Sequence, residues 1–359
     1  MKFINIKILL KNIYIFFIYL SLIIFFFSTE QVDAKIFDIK NLEISKPFEL
    51  NFDKNDVIND GFKKAFNELI LLIVKSEDRE KFIKVNLNEI KSMIDSFSIE
   101  EEKFIDDIYF VNLGVSFSKE KIFEFLENKN IFPSIPNKKK FLFIPIIIDE
   151  KNNDLLIFSK NKIFEEWNNF FESHHLLEYI LPTEDLEDLK ILKEKYEFIE
   201  QYDFKEITQK YNLSESIIAL IFKNENDLRI LSRITIQDNV NLSNQLLKNV
   251  NLENKKQIEE IIKSLKTNYE DYWKNSNQIN TSIKLSLIIK TENQNNDKIF
   301  DFEKTLQNID MIYSHQISKF NKDFIFYKII FNGTPSEFLK SMKEFNYNFD
   351  TQNKVWVLK

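Results

Sequence analysis

The sequence predicts an α+β chain made of a leader and three folded parts, and three observations carry that expectation. Apolar residues recur with both the helical period of 3.6 and the strand period of 2. Each end of the chain gives the order β-α-β-β-α-β, the split-βαβ or ferredoxin-like pattern. Between the ends, the continuous apolar run Phe141 to Ile148 opens a stretch in which helix and strand alternate, as in an α/β layer domain. The expected parts are a signal peptide or N-terminal anchor over 1–34, an α+β module over 35–135, a central α/β domain over 139–276 and a second α+β module over 279–359.

The chain begins MKFINIKILLKNIYIFFIYLSLIIFFFSTEQVDAK. Lys2, Lys7 and Lys11 precede an uncharged run from Asn12 to Phe27. That run falls short of the roughly 20 apolar residues a membrane-spanning helix needs. A basic start, a short apolar stretch and a small-residue site at Val32-Asp33-Ala34 make a secretory signal peptide, with cleavage expected after Ala34. Left uncleaved, residues 8–27 would be an inner-membrane anchor. In both cases the rest of the chain is expected outside the cytoplasm, in the periplasm, because the positive end stays inside.

In the first module, Ile36 to Ile44 reads as a strand and Asp56 to Val74 as a helix. Ile58, Phe62, Ala65, Leu69 and Ile73 fall on one helix face, Asp53 and Asn55 are candidate N-caps, and Gly61 suggests close packing. Strands follow at Lys91 to Ile99 and Ile108 to Phe117. Ser118 caps a helix bearing Ile122, Phe123 and Leu126, and a short strand near Ile131 completes the unit. Pro133, Pro136 and Lys138 to Lys140 mark a boundary.

After the Phe141 to Ile148 strand, the central part gives a helix over Ile163 to Phe171, a strand over Leu177 to Leu181 and a helix over Glu184 to Lys195. A short helix around Ile207 leads to a strand pair, Ile217 to Phe222 and Leu228 to Ile236. Ile258, Ile261, Ile262, Leu265, Tyr269 and Tyr272 mark a long amphipathic helix.

The last part gives a strand at Ile283 to Ile289 and a helix at Phe302 to Ile309. Two strands, Met311 to Phe320 and Phe324 to Phe331, flank a turn at Asn321-Lys322-Asp323. Thr334-Pro335-Ser336-Glu337 has the form of a capping box. It opens a helix with Phe338, Met342 and Phe345 inward, before a closing strand at Val355 to Leu358. Residues 108–126 align with 324–342 at a constant offset of 216, with Ser118 on Thr334. Duplication of a module and the general likeness of any strand–cap–helix both account for that.

A strand, a helix with Ala65 among large apolar residues, a strand carrying Tyr109, Val115 and Phe117, a helix with Leu126, then an apolar strand with Pro145 and a following Trp167 resembles a bacterial secreted family. It is the family catalogued as domain of unknown function 2066, and the resemblance covers about residues 36–211. It implies an envelope protein with a signal peptide. It carries over no catalytic residue, since no activity is established for that family.

Composition excludes several functions. The formal charge of −7 and only three arginines, Arg79, Arg229 and Arg233, argue against a grip on nucleic acid. The absence of cysteine removes thiol chemistry and zinc–thiolate sites. Gly61, Gly114 and Gly333 are isolated, so there is no phosphate-binding or dinucleotide loop. His174-His175, with Glu172 and Glu178 nearby, could ligate metal. Adjacent residues point apart on a helix or strand, so the expectation is an ordinary loop pair and no metal. Thr183 to Asp188 is an acidic cluster at a helix start, where acids favour the dipole. Asp149 to Asp154 reads as a turn rather than a calcium loop. No cofactor is expected.

The expected function is therefore a non-catalytic interaction or assembly module of the cell envelope, docking a protein partner by a sheet face or edge. The alternative is a hydrolase acting on an envelope polymer through Glu184, Asp185 or Glu187. A lipid carrier is a third reading and needs a continuous apolar cavity.

Overall fold

The computed structural model describes residues 37–293 and 295–359. The leader expected over 1–34 lies outside the described residues. Among the described residues no helix is long and apolar enough to cross a membrane. The described chain is mixed α and β, with three sheets.

The first sheet is built from β1 (Asp38–Pro47), β2 (Ile94–Ile105) and β3 (Ile108–Phe117), antiparallel in the order β1-β3-β2. Helices α1 (Lys54–Ile73), α2 (Leu87–Met93) and α3 (Lys119–Glu127) accompany it. Asp53 caps α1 as expected, its carboxylate accepting from the Asn55 amide at 2.8 Å. Phe62, Ala65, Leu69 and Ile73 are buried, and Ile58 packs half-buried against the same core. A Cβ at Gly61 would run into the Leu113 side chain of β3, so glycine is what lets α1 lie close to the central strand.

Two expectations fail in this segment. The strand expected from Lys91 starts at Ile94, because residues 87–93 form a helix capped by Asn86, whose side chain accepts from the Glu89 amide at 2.9 Å. The strand then runs on to a tight turn at Asp106-Asp107, both left-handed, as a two-residue hairpin requires. The fourth strand near Ile131 is absent. Ile131 is buried in the core, but Pro133 and Pro136 lack the amides a ladder needs. The chain there bonds instead to α1 and to the segment after the long helix: Ser134 N donates to Ile73 O at 2.8 Å, and Ile279 N to Pro133 O at 2.8 Å. The N-terminal sheet thus has three strands where a β-α-β-β-α-β unit would have four.

The central sheet joins β4 (Lys139–Asp149), β5 (Asp154–Leu156), β6 (Leu177–Ile180), β7 (Ser216–Asn224), β8 (Asp227–Ile236) and β9 (Asn239–Leu247). The order is β5-β4-β7-β8-β9, with β6 also on β4. β4 pairs parallel with β6 and β7, while β7-β8 and β8-β9 are antiparallel. As its unbroken apolar run foretold, β4 is buried from Phe141 to Asp149. One face packs beneath the long helix α7 (Lys255–Ser276) and beneath Trp167. The other packs beneath α5 (Leu186–Glu194) and α6 (Lys205–Thr208). The helix expected over Ile163 to Phe171 is shorter: α4 (Lys162–Glu166) gives way to a 3-10 turn at Trp167–Asn169, where Asn168 and Asn169 are poor helix formers. Strand β9 was not expected. Its apolar residues Val240, Leu242 and Leu246 alternate with Asn, Ser and Gln, and they face outward.

The third sheet contains β10 (Leu285–Glu292), β11 (Ile312–Phe320), β12 (Phe324–Phe331), β13 (Phe349–Asp350) and β14 (Val355–Leu358), in the order β11-β12-β10-β14-β13. Helices α8 (Asn296–Asn308) and α9 (Pro335–Glu344) complete it. The expected capping box is present: the Glu337 amide donates to Thr334 Oγ1 at 3.3 Å, and the Thr334 amide to the Glu337 carboxylate at 2.7 Å. The turn at Asn321 is held by its side chain, which accepts from the amides of Asp323 and Phe324. Phe338 and Met342 are buried, but Phe345, expected inward, is the C-cap of α9 and lies exposed. The closing strand β14 returns through the small hairpin with β13 and so lies parallel to β10.

Candidate functional site

Polar groups concentrate where α7 passes between α1 and the loop from Phe170 to Leu176. Lys266, Glu270 and Lys274 stand four residues apart and therefore share one stripe of α7. All three are buried. Lys266 Nζ donates to the Phe170 carbonyl. The Glu270 carboxylate accepts from the Leu176 amide at 3.0 Å and the Leu177 amide at 2.9 Å. Lys274 Nζ donates to the Val74 carbonyl at 3.1 Å and to that of Leu71, at the end of α1. Beside them Asp271 accepts from the Ser76 amide at 2.9 Å and from its hydroxyl. A buried charge is tolerable only when hydrogen-bonded, and each of these finds its partner in main chain from distant parts of the sequence.

The loop that α7 holds carries Glu172, His174 and His175. Each offers one ligand atom, and those atoms all lie within 4.8 Å of one another. His174 Nε2 is 3.3 Å from Glu172 Oε2, and the Glu172 amide donates to His175 Nδ1 at 3.3 Å. The two rings are 5.1 Å apart, edge to face. The rule that neighbours point apart holds for regular structure. Here it fails because a turn, closed by His175 N to Glu172 O at 3.0 Å, brings both rings to one side. Glu178 does not join them; on β6 it faces Lys140 at 3.5 Å.

Burial dominates the ionisation of this region. It pushes His175 down to about 4 and His174 below the usual histidine range. It lowers Lys266 and Lys274 to about 8, raises Glu270, and lowers the Arg79 guanidinium, whose Nε has no hydrogen-bond partner. The stripe of α7 was missed in the sequence because Lys266, Glu270 and Lys274 look like the solvated side of an amphipathic helix. The signal that could have exposed it is their adjacency to Leu265, Tyr269 and Trp273, which are core residues.

The acidic cluster behaves as a helix start. Asp185 caps α5 by accepting from the Glu187 amide at 2.8 Å, and it shares Lys210 with Asp188, at 2.9 and 2.6 Å. The Lys210 ammonium, with the Glu187 amide, holds the Asp185 carboxyl below the usual range. Glu184 accepts from the Ser159 amide at 3.1 Å, and Glu187 is exposed. The three carboxylates named for hydrolysis are thus engaged as caps or solvated. Asp149 closes the expected turn by accepting from Asn152 at 3.0 Å. The apolar cavity beside Asp188, lined by Ile144, Pro145, Phe164 and Ile207, encloses about 10 Å³, room for a water and far too little for an acyl chain.

Among the outer strands of the three sheets, β2 and β9 each expose several apolar side chains. β2 is the outer strand of its sheet, and beyond Ile94 every one of its residues is exposed, Phe97 by 49% and Phe104 by 62%. Phe97 lies edge to face on Phe62 of α1 and Phe104 on Phe48, so the apolar core continues onto this edge. β9 is the outer strand of the central sheet, with Val240, Leu242 and Leu246 exposed on one face.

Comparison with known protein families finds none whose pattern matches this chain, and none of the curated proteins matches it.

Proposed function

We propose that this chain is an exported envelope protein that works in the periplasm without catalysis, as an interaction or assembly module that docks an envelope protein partner along a strand edge. The observation that carries this reading is β2: a long, outermost, almost fully exposed strand bearing Phe97, Ile99, Phe104 and Ile105. Its outward amides and carbonyls, which no strand among the described residues pairs, can add a partner strand while the aromatic side chains supply specificity. Export is supported by the first 34 residues, with their lysines, apolar run and Ala34. The three parts, 35–135, 139–276 and 279–359, are supported as modules by the three sheets, each with apolar clusters built mainly from its own residues, although Ile279 and Leu72 join neighbouring ones. We read the end modules as ferredoxin-like, the first lacking its last strand, and about residues 36–211 as related to the secreted family of domain of unknown function 2066.

The test is chemical cross-linking in intact cells, then purification and mass spectrometry, with the wild type and with a variant carrying Phe97→Lys and Phe104→Lys. One envelope partner recovered with the wild type and lost with the folded variant is the expected result. A partner retained by the variant, or none with either, overturns the reading.

A further inference from the structure

We propose that Glu172, His174 and His175 form a binding site for one divalent transition-metal ion, zinc being the natural occupant. Two imidazoles and a carboxylate are the donor set that suits zinc, cobalt or nickel and disfavours calcium and magnesium. The ligand atoms already stand within 4.8 Å of one another. A tetrahedral ion with bonds of roughly 2.0–2.1 Å places its ligand atoms about 3.4 Å apart. Side-chain rotations of about an ångström close that gap, and they leave the fourth position to water.

The loop is built to hold such a geometry. Lys266 grips it at the Phe170 carbonyl and Glu270 at the Leu176 and Leu177 amides. Ser173, between the ligands, donates to Glu68 of α1 at 3.2 Å. His174 has a side chain only 13% exposed, whereas Glu172 is 49% exposed and keeps the site open to solvent. The Glu172 amide at His175 Nδ1 selects the tautomer with its proton on Nε2, so the Nδ1 lone pair faces the loop. At 3.3 Å this is a long hydrogen bond, which an ion can displace. The cations Arg79, Lys266 and Lys274 and the anion Glu68 face the cluster, and Glu270 and Asp271 act on Arg79 in turn. The cations work against tight binding, so the affinity expected is moderate. An ion here would hold the turn of the loop closed on itself, since all three ligands lie within residues 172–175.

The experiment uses the untagged full chain, stripped with chelator and titrated with zinc chloride alone in a calorimeter. Cobalt(II) substitution follows, read by its visible absorption. One ion per chain is expected. Glu172→Gln and His175→Gln should each weaken binding at least about tenfold. Glu178→Gln, on β6, and His315→Gln, on β11 of the third sheet, should leave it unchanged. Circular dichroism checks folding of each variant, and the exposed Glu172→Gln decides the matter if a histidine variant does not fold. No stoichiometric binding by the wild type, or equal binding by a folded Glu172→Gln and wild type, overturns the proposal.

Discussion

The two ends of this protein begin alike and finish differently. In each, a strand, a helix region and a hairpin give three strands in the order first, third, second: β1-β3-β2 and β10-β12-β11. In each, the third strand is central and buries alternate residues, Tyr109, Val111, Leu113 and Val115 in one, Ile325, Tyr327, Ile329 and Phe331 in the other. The register agrees too: Leu42 stands opposite Leu113, and Leu287 opposite Ile329. Beyond the last helix they part. After α9 the chain adds β14 and β13 to the free edge of β10. After α3 it passes through Pro133 and Pro136 and bonds to α1 and to Asn277 and Ile279 instead. The same strand–cap–helix therefore leads to a three- or five-stranded sheet, according to whether the following residues can supply amides to a ladder.

The largest effect should come from the matched central positions. Leu113→Ala and Ile329→Ala each remove a fully buried side chain and should each cost about 2–5 kcal/mol. Urea unfolding followed by fluorescence and circular dichroism reads both. Coincident transitions with similar losses would show the two ends to be energetically alike, whereas a separate transition in one variant would show that the ends unfold independently.

Next is a position with no counterpart, since α8 has no glycine. Gly61→Ala should cost about 1–3 kcal/mol by overpacking against Leu113, although alanine in an open helix would gain about 1 kcal/mol. A melting temperature that rises would mean that Leu113 moves aside freely.

The ends touch at Lys119, whose Nζ donates to the Ile309 carbonyl at 2.9 Å beside Asp310. Burial raises Asp310 to about 6 and lowers Lys119 to about 8. For a raised carboxyl the contribution to stability is full below its unfolded value near 4 and is lost as pH rises through 6. For a lowered lysine it is full above about 10.5 and is lost as pH falls through 8. Between pH 4 and 6, Asp310 should therefore subtract on the order of 2 kcal/mol as pH rises. Asp310→Asn should flatten that part of the urea-midpoint profile, and an unchanged slope would show that Asp310 does not cause it.

The smallest contrast lies in the caps. Thr334→Ala breaks a reciprocal pair and should cost about 1 kcal/mol. Ser118→Ala should cost less, because Ser118 accepts from the Lys121 amide at a long 3.5 Å and Lys121 offers no return bond. Equal losses in thermal melts would remove the distinction.

Much of the fold was legible because its signals are local. The caps at Asp53, Ser118 and Thr334 act over two or three residues. The face of α1 and the buried run of β4 follow from periodicity. What escaped notice depended on distant partners. β9 was hidden because its apolar residues face outward and only pairing with β8 makes it a strand. The strand expected at Ile131 was drawn off by contacts with α1 and Ile279. His174 and His175 converge through a turn closed by His175 N on Glu172 O, which no regular period announces, in a loop that Lys266 and Glu270 of α7 hold at its two ends.

Side-chain spacing and turn chemistry thus set element type, core face and helix ends within short windows of this chain. Which edge is filled, which charges are buried and which ligands meet came from packing. Lys274 can be buried because Leu71 and Val74, about two hundred residues away in the chain, present their carbonyls to it. No window of neighbouring residues carries that information, since the cost of burying the ammonium is offset by groups that only the folded chain brings near.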